Sequence, residues 1–200
     1  MSASSNRFRD LTLYVIRHGE CEHNVAGRAA AQNDSPLTAN GREHARANGR
    51  LLKDMVFDLS TVDFFASSLH RTCTTMELLR EAASLPPTGY IADRRLMEID
   101  FGDHTWIRWN DISEEDCAAY KSDPWNLARP GGETQAQVYA RTGEFLKTVT
   151  RDSVIVTHQM PARLIRAHYL NLTPGEAVRY EQPHGGILRL SGGGEAMFGE

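Results

Sequence analysis

The chain has 200 residues, 40% hydrophobic and 24% charged, enough apolar sequence to bury a sizeable core and too much for a disordered or fibrous chain. Its 22 Lys and Arg against 26 Asp and Glu give a net charge of −4, with no basic run suited to nucleic acid, so any anion site must be local and built from a few arginines. Three scattered cysteines (Cys21, Cys73, Cys117), an opening "MSASSNRFRD" without the apolar core of a secretory signal, and no apolar run near the roughly 20 residues that cross a bilayer point to a cytoplasmic protein without disulfides or membrane partners.

Residues 11–16, "LTLYVI", read as a buried strand that ends abruptly in Arg17, His18 and Gly19. Thr38 then suits the N-cap of a helix carrying Ala45, Leu51 and Leu52, weakened by Gly41 and Gly49. "TVDFFASS" predicts a second strand, and from Ser68 a helix follows through Leu69, Met76, Leu78 and Leu79. Residues 100–132 differ in texture, with Trp106, Trp109, Trp125, an acidic "SEEDC" and a "RPGG" turn. They predict a helical insertion or lid on a single domain spanning 1–200, with the tryptophans as core packing. Residues 132–149 predict a helix with Val138, Phe145, Leu146 and Val149 on one side. "SVIVTH" is a third strand, Pro161 suits the first turn of the next helix, and "GGILRLSG" is a fourth strand. Alternating strands and helices predict an α/β fold, a three-layer α/β/α sandwich around a mainly parallel sheet.

Polar residues cluster where those strands end. Arg17 and His18 follow the first, Arg71 lies past the second, His158 follows the third, and Glu98 sits in "RRLMEIDFG". Ligands of an open α/β sheet bind at the carboxyl ends of its strands, beside helix N-termini. Two arginines, two histidines and a carboxylate brought there make an anion site with its own nucleophile and acid. Asp100 and Asp103 compete with Glu98 for the acid role, and His184 in "QPHGG" is within plausible reach. His23, His44, His70, His104 and His168 are expected at the surface or rim.

The segments "VIRHGECEHN", "SSLHRTCTT", "LMEIDFG" and "VTHQMPARLI", in this order, resemble the signature segments of the histidine phosphatase superfamily, with its phosphoglycerate mutase-like fold. The resemblance spans roughly residues 11 to 190. It implies that His18 becomes phosphorylated, that Arg17, Arg71 and His158 grip the phosphoryl oxygens with Asn24 as a further contact, and that Glu98 is the proton donor; Gln159, beside His158, is a further candidate phosphate contact. The chemistry suits those residue types. A neutral imidazole is nucleophilic near its ordinary pKa of about 6.5, a planar guanidinium matches phosphoryl oxygens, and phosphoryl transfer needs mainly positioning and charge stabilisation.

The expected activity is therefore metal-independent hydrolysis of a small phosphorylated metabolite, with no cofactor. A phosphoglycerate mutase and a catalytically idle phosphate binder are the alternatives. Three departures from the family pattern, Ala30-Ala31, His104-Thr105-Trp106, and Gln159 after His158, are expected at the pocket rim and leave the substrate open. The spacing of His18, Cys21 and His23 fits no usual zinc pattern. Six residues separate Cys21 from Arg28 and Cys73 from Arg80, one more than a cysteine phosphatase places between the two. The oligomeric state is not legible in the sequence.

Overall fold

A computed structural model describes residues 7–177 and 180–199. Six strands form one sheet: β1 (Leu13–Arg17), β2 (Asp63–Ser67), β3 (Ile91–Asp93), β4 (Ser153–Thr157), β5 (Ile187–Ser191) and β6 (Gly194–Phe198). Their order is β3-β2-β4-β1-β5-β6. The first four in that order pair in parallel, while β5 and β6 run antiparallel. The expected mainly parallel sheet is thus present, with an antiparallel edge. The strand read as fourth is β5, and β3 and β6 are additional.

The apolar runs that mark β1 and β4 have a structural cause. Leu13, Val15 and Ile155 point to one side, joining Phe145, Leu146 and Ile165. Tyr14, Ile16, Val154 and Val156 point to the other, joining Leu52, Met76 and Leu79. A strand covered on both faces has no polar alternation to show. The covering elements are α2 (Ala39–Met55) and α3 (His70–Ala82) on one face, with α5 (Gln135–Leu146) and α6 (Gln159–Leu170) on the other. Short helices α1 (Glu22–Val25), α4 (Glu114–Ser122) and α7 (Pro174–Ala177) sit in the connections.

Thr38 caps α2 as expected, its hydroxyl accepting from Gly41 N (2.9 Å). Pro161 falls in the first turn of α6, where a missing N–H costs nothing. The two helix glycines are sites of close approach. A Cβ on Gly41 would stand 2.0 Å from the Glu20 carbonyl, and one on Gly49 2.2 Å from that of Leu79. β1 and β4 are neighbours, and their following helices α2 and α6 lie on opposite faces, which opens a crevice beyond their carboxyl ends.

Candidate active site

The main-chain N–H of His18 donates to Thr157 O (2.9 Å), extending the β1–β4 ladder by one step before the chain turns. The turn is tight. A Cβ on Gly19 would lie 2.1 Å from Gly41 O, so only glycine lets the chain pass α2 there. His18 is buried, and its Nδ1–H donates to Gly19 O (2.8 Å). A carbonyl can only accept, so the proton sits on Nδ1 and the Nε2 lone pair is left available. Burial, then the neighbouring His158 and Arg71, pushes the His18 pKa well below the ordinary histidine value.

His158, at the end of β4, lies edge-on to His18 with ring centroids 5.1 Å apart. Its Nε2 is hydrogen-bonded to Ser67 Oγ (2.8 Å), and burial followed by Arg71 holds it neutral as well. Arg71, 1% exposed, enters from α3. Its Nη1 donates to Asn33 O (2.6 Å) and its Nη2 to Ala31 O (2.7 Å), which fixes the plane of the guanidinium. Asp34 takes the first N–H groups of α3, from His70 (2.8 Å) and Arg71 (3.2 Å), so that helix terminus is capped and does not offer them to a ligand. Arg17 donates through Nη1 to Gln182 O (3.2 Å). Burial lowers both arginines from their usual value, and Glu98 is the foremost opposing charge for each.

These side chains meet at one cavity of about 210 Å³, whose polar lining is Arg17, His18, His23, Asn24, Arg28, Arg71, Glu98 and Gln159. Fully buried His158 stands behind the wall. Glu98 lines the cavity while Asp100 and Asp103 do not. Its Oε1 accepts from Ile99 N (2.9 Å) and from Met160 N (3.2 Å) at the start of α6. Asn24 and Gln159 are partly committed. Asn24 accepts from Cys21 N (2.9 Å) and donates to His23 Nε2 (3.0 Å). Gln159 donates to Tyr180 O (3.1 Å) and accepts from Gln182 N (3.1 Å), clamping the segment that covers Arg17. Four buried polar atoms here, Arg17 Nε, Arg71 Nε, His23 Nδ1 and His158 Nδ1, have no hydrogen-bond partner among the described residues. Such a concentration is unusual in a native interior.

Several expectations are corrected. His23 is not a surface residue. It is 7% exposed and lines the cavity, its pKa pushed down to about 3 chiefly by burial. His184 does reach the site, donating through Nδ1–H to His18 O (2.7 Å), its ring centroid 5.3 Å from that of His18. Of the expected rim, Ala30, Ala31 and Gln159 line the cavity. His104, Thr105 and Trp106 do not. His104 is buried between Arg129 Nη1 (3.2 Å) and Asp116 Oδ2 (3.6 Å). His168 is half-buried, stacked on Tyr139 at 3.6 Å. Trp106 and Trp109 are exposed rather than core, and Trp109 lines the cavity. Sequence reasoning missed Gln182 and Asp34, which have no local signal because only the fold brings them close. Cys21 Sγ lies 3.5 Å from His18 Nδ1, with burial pushing its thiol up to about 12, outside the range of a nucleophilic thiolate. Among the described residues no group of three or more His, Cys, Asp or Glu is arranged to hold a metal ion, and no helix is long and apolar enough to cross a membrane.

The model of the histidine phosphatase superfamily (branch 1) matches residues 13–197. Human 6-phosphofructo-2-kinase/fructose-2,6-bisphosphatase 3 is 28% identical over 185 residues, 90% of this chain and 34% of that protein. The chain therefore spans about a third of the length of that relative. Phosphoserine phosphatase 1 of Hydrogenobacter thermophilus is 30% identical over 159 residues, 76% of this chain and 72% of that protein. The crystal structure of the alpha-ribazole phosphatase from Shigella flexneri matches 94% of this chain and 95% of its own with a TM-score of 0.77 at 23% identity, a likeness of fold.

Proposed function

Because the chain belongs to the histidine phosphatase superfamily (branch 1), we propose that it is a metal-independent phosphomonoesterase working through a phosphohistidine on His18. The observation that carries this reading is the tautomer of His18. Its proton is held by Gly19 O, and the opposite nitrogen is left unprotonated in a cavity shared with Arg17, Arg71 and Glu98. Relatives named as phosphatases support the reaction class.

In the first step His18 Nε2 forms a bond to phosphorus as the ester P–O bond breaks. The departing alkoxide takes a proton from Glu98 in its acid form. The phosphorylated ring is cationic, and its Nδ1–H remains on the Gly19 carbonyl. In the second step water gives a proton to the Glu98 carboxylate and attacks phosphorus. The N–P bond breaks, inorganic phosphate leaves, and the neutral imidazole returns. Arg71, already fixed by two carbonyls, and Arg17 face the phosphoryl charge without reorganising, which is where electrostatic stabilisation is most effective. A dianion placed here also completes the unpartnered N–H groups of both arginines. The substrate is a small phosphorylated molecule, and residues 100–132 act as the lid over it.

The test is hydrolysis of 4-nitrophenyl phosphate with and without chelator. Turnover should persist with chelator and fall at least about a thousand-fold in His18→Ala. Rapid quenching with labelled ester should trap acid-labile, base-stable phosphate on His18. Interconversion of 2- and 3-phosphoglycerate, boosted by bisphosphoglycerate, would reassign the protein as a mutase. Phosphate binding without turnover of any ester would reassign it as an idle binder.

A further inference from the structure

The cavity has a second wall that phosphoryl chemistry does not use, formed by Ile99, Phe101, Trp109 and Met160. Trp109 is 44% exposed at this wall, an uncommon position for so large an apolar ring. Yet it is held firmly. Its main-chain N–H donates to Gly27 O (3.0 Å), its ring meets Phe101 edge-to-face at 5.3 Å, and the Arg129 guanidinium lies 4.9 Å from the Phe101 centroid and 5.5 Å from that of Trp109. Arg129 in turn donates to His104 Nδ1 (3.2 Å) and sits 4.4 Å over Tyr120. An oriented aromatic surface that the protein itself leaves partly uncovered is ready to stack with a ligand.

We propose that this wall is the leaving-group subsite, and that the ester this protein is built to cleave carries an aromatic ring on its alcohol side, laid against Trp109. The proposal rests on the phosphatase reading and names the substrate class. A polyhydroxylated leaving group would lose its water against Ile99, Phe101 and Met160 and gain no hydrogen bond from their side chains. The size agrees as well. A cavity of about 150 Å³ takes benzene, so about 210 Å³ accommodates one ring beside a phosphoryl group.

The experiment compares 2-phenylethyl phosphate with glycerol 3-phosphate, whose leaving groups are both alkyl alcohols, so intrinsic reactivity does not set the ratio. In the wild type kcat/KM should favour the phenyl ester about ten-fold or more, chiefly through KM, since one stacked ring is worth about a factor of ten. Trp109→Phe should keep most of that ratio. Trp109→Ala should reduce it five- to ten-fold (~one order of magnitude in the ratio), and Trp109→Leu, which preserves bulk without an aromatic face, should do the same if the alanine variant fails to fold. A wild-type ratio near one, or a ratio unmoved by both Trp109→Ala and Trp109→Leu, overturns the proposal while leaving the phosphatase reading intact. Calorimetry with 2-phenylethylphosphonate and ethylphosphonate decides the matter if neither ester is turned over. A phenyl preference reduced in Trp109→Leu then supports the subsite while the phosphatase reading fails, and equal or absent binding overturns the subsite too.

Discussion

The His18 ring donates to the carbonyl of its own neighbour, and this local bond decides which nitrogen can react. Arginine, histidine and glycine in succession are legible in sequence because each has a separate place: Arg17 brings charge to the cavity, His18 brings an imidazole to it, and Gly19 allows the close passage under Gly41. His23 was not legible, since a histidine two residues beyond a turn looks solvent-facing until the fold closes over it. Its burial makes a prediction about acid stability. Folded His23 has a pKa of about 3, so between that value and about 6.5 the unfolded chain binds a proton that the folded chain refuses. Unfolding then takes up protons, and stability falls as pH falls through that window. For this one ring the loss from pH 7 to pH 5 is about 2 kcal/mol. His18, His158 and His184 are also depressed and add to the slope in the same direction. Urea titrations of the wild type and His23→Asn at both pH values check this. The variant's loss should be smaller by about 2 kcal/mol, and equal losses would mean that His23 titrates normally.

Elements were legible where burial on both faces wrote an unbroken apolar run, as in β1 and β4, or where one side carried the stripe, as in α5 with Val138, Phe145 and Leu146. The missed strands had neither signal. β3 has three residues, two of them exposed, and β6 follows β5 through a glycine turn and has no fully buried residue. The glycines of α2 were legible only as weaknesses. In an exposed helix interior Gly→Ala gains up to about 1 kcal/mol. Here the sign should reverse, because the added methyl meets backbone oxygen in both cases, at Glu20 for Gly41 and at Leu79 for Gly49. Each alanine variant should lose about 1–3 kcal/mol in denaturant unfolding. Activity should separate them. Gly41→Ala displaces the Gly19–Glu20 turn beside His18 and should lower kcat, whereas Gly49→Ala strains the α2–α3 contact and should leave kcat near wild type at temperatures where it is folded. A Gly49→Ala variant as inactive as Gly41→Ala would show that α2 transmits strain along its whole length.

Over the whole molecule, the site is assembled from distant stretches of chain: the end of β1, the start of α3, the loop holding Glu98, the end of β4, and residues 182–184. The sheet order places the ends of β1 and β4 side by side, which is why strand-end motifs alone located His18 and His158. The 180–184 connection carries no such motif, and its bonds to Arg17, Gln159 and His18 arise only in the folded chain. Residues 100–132 are joined to the rest differently from the sheet. Trp106 N donates to Ala29 O (2.7 Å), Ile107 O accepts from Ala29 N (3.0 Å), and Arg28 Nη1 donates to Trp106 O (2.8 Å), so this segment is laced to the loop that follows His18. Meanwhile no residue of α4 is fully buried. Opening free energy follows buried apolar contact, so the molecule should exchange its amide hydrogens in tiers. Amides of β1 and β4, buried on both faces, should exchange only by global unfolding, and those of α4 should exchange orders of magnitude faster through local opening. Vanadate, as a phosphate mimic, should slow exchange at residues 106–109 by holding the laced loop against the cavity, with little change in β1, which is already protected. Hydrogen-exchange mass spectrometry with and without vanadate measures all three. Protection of α4 equal to that of β1 would contradict the tiers, and no vanadate effect at 106–109 would detach this segment from the site.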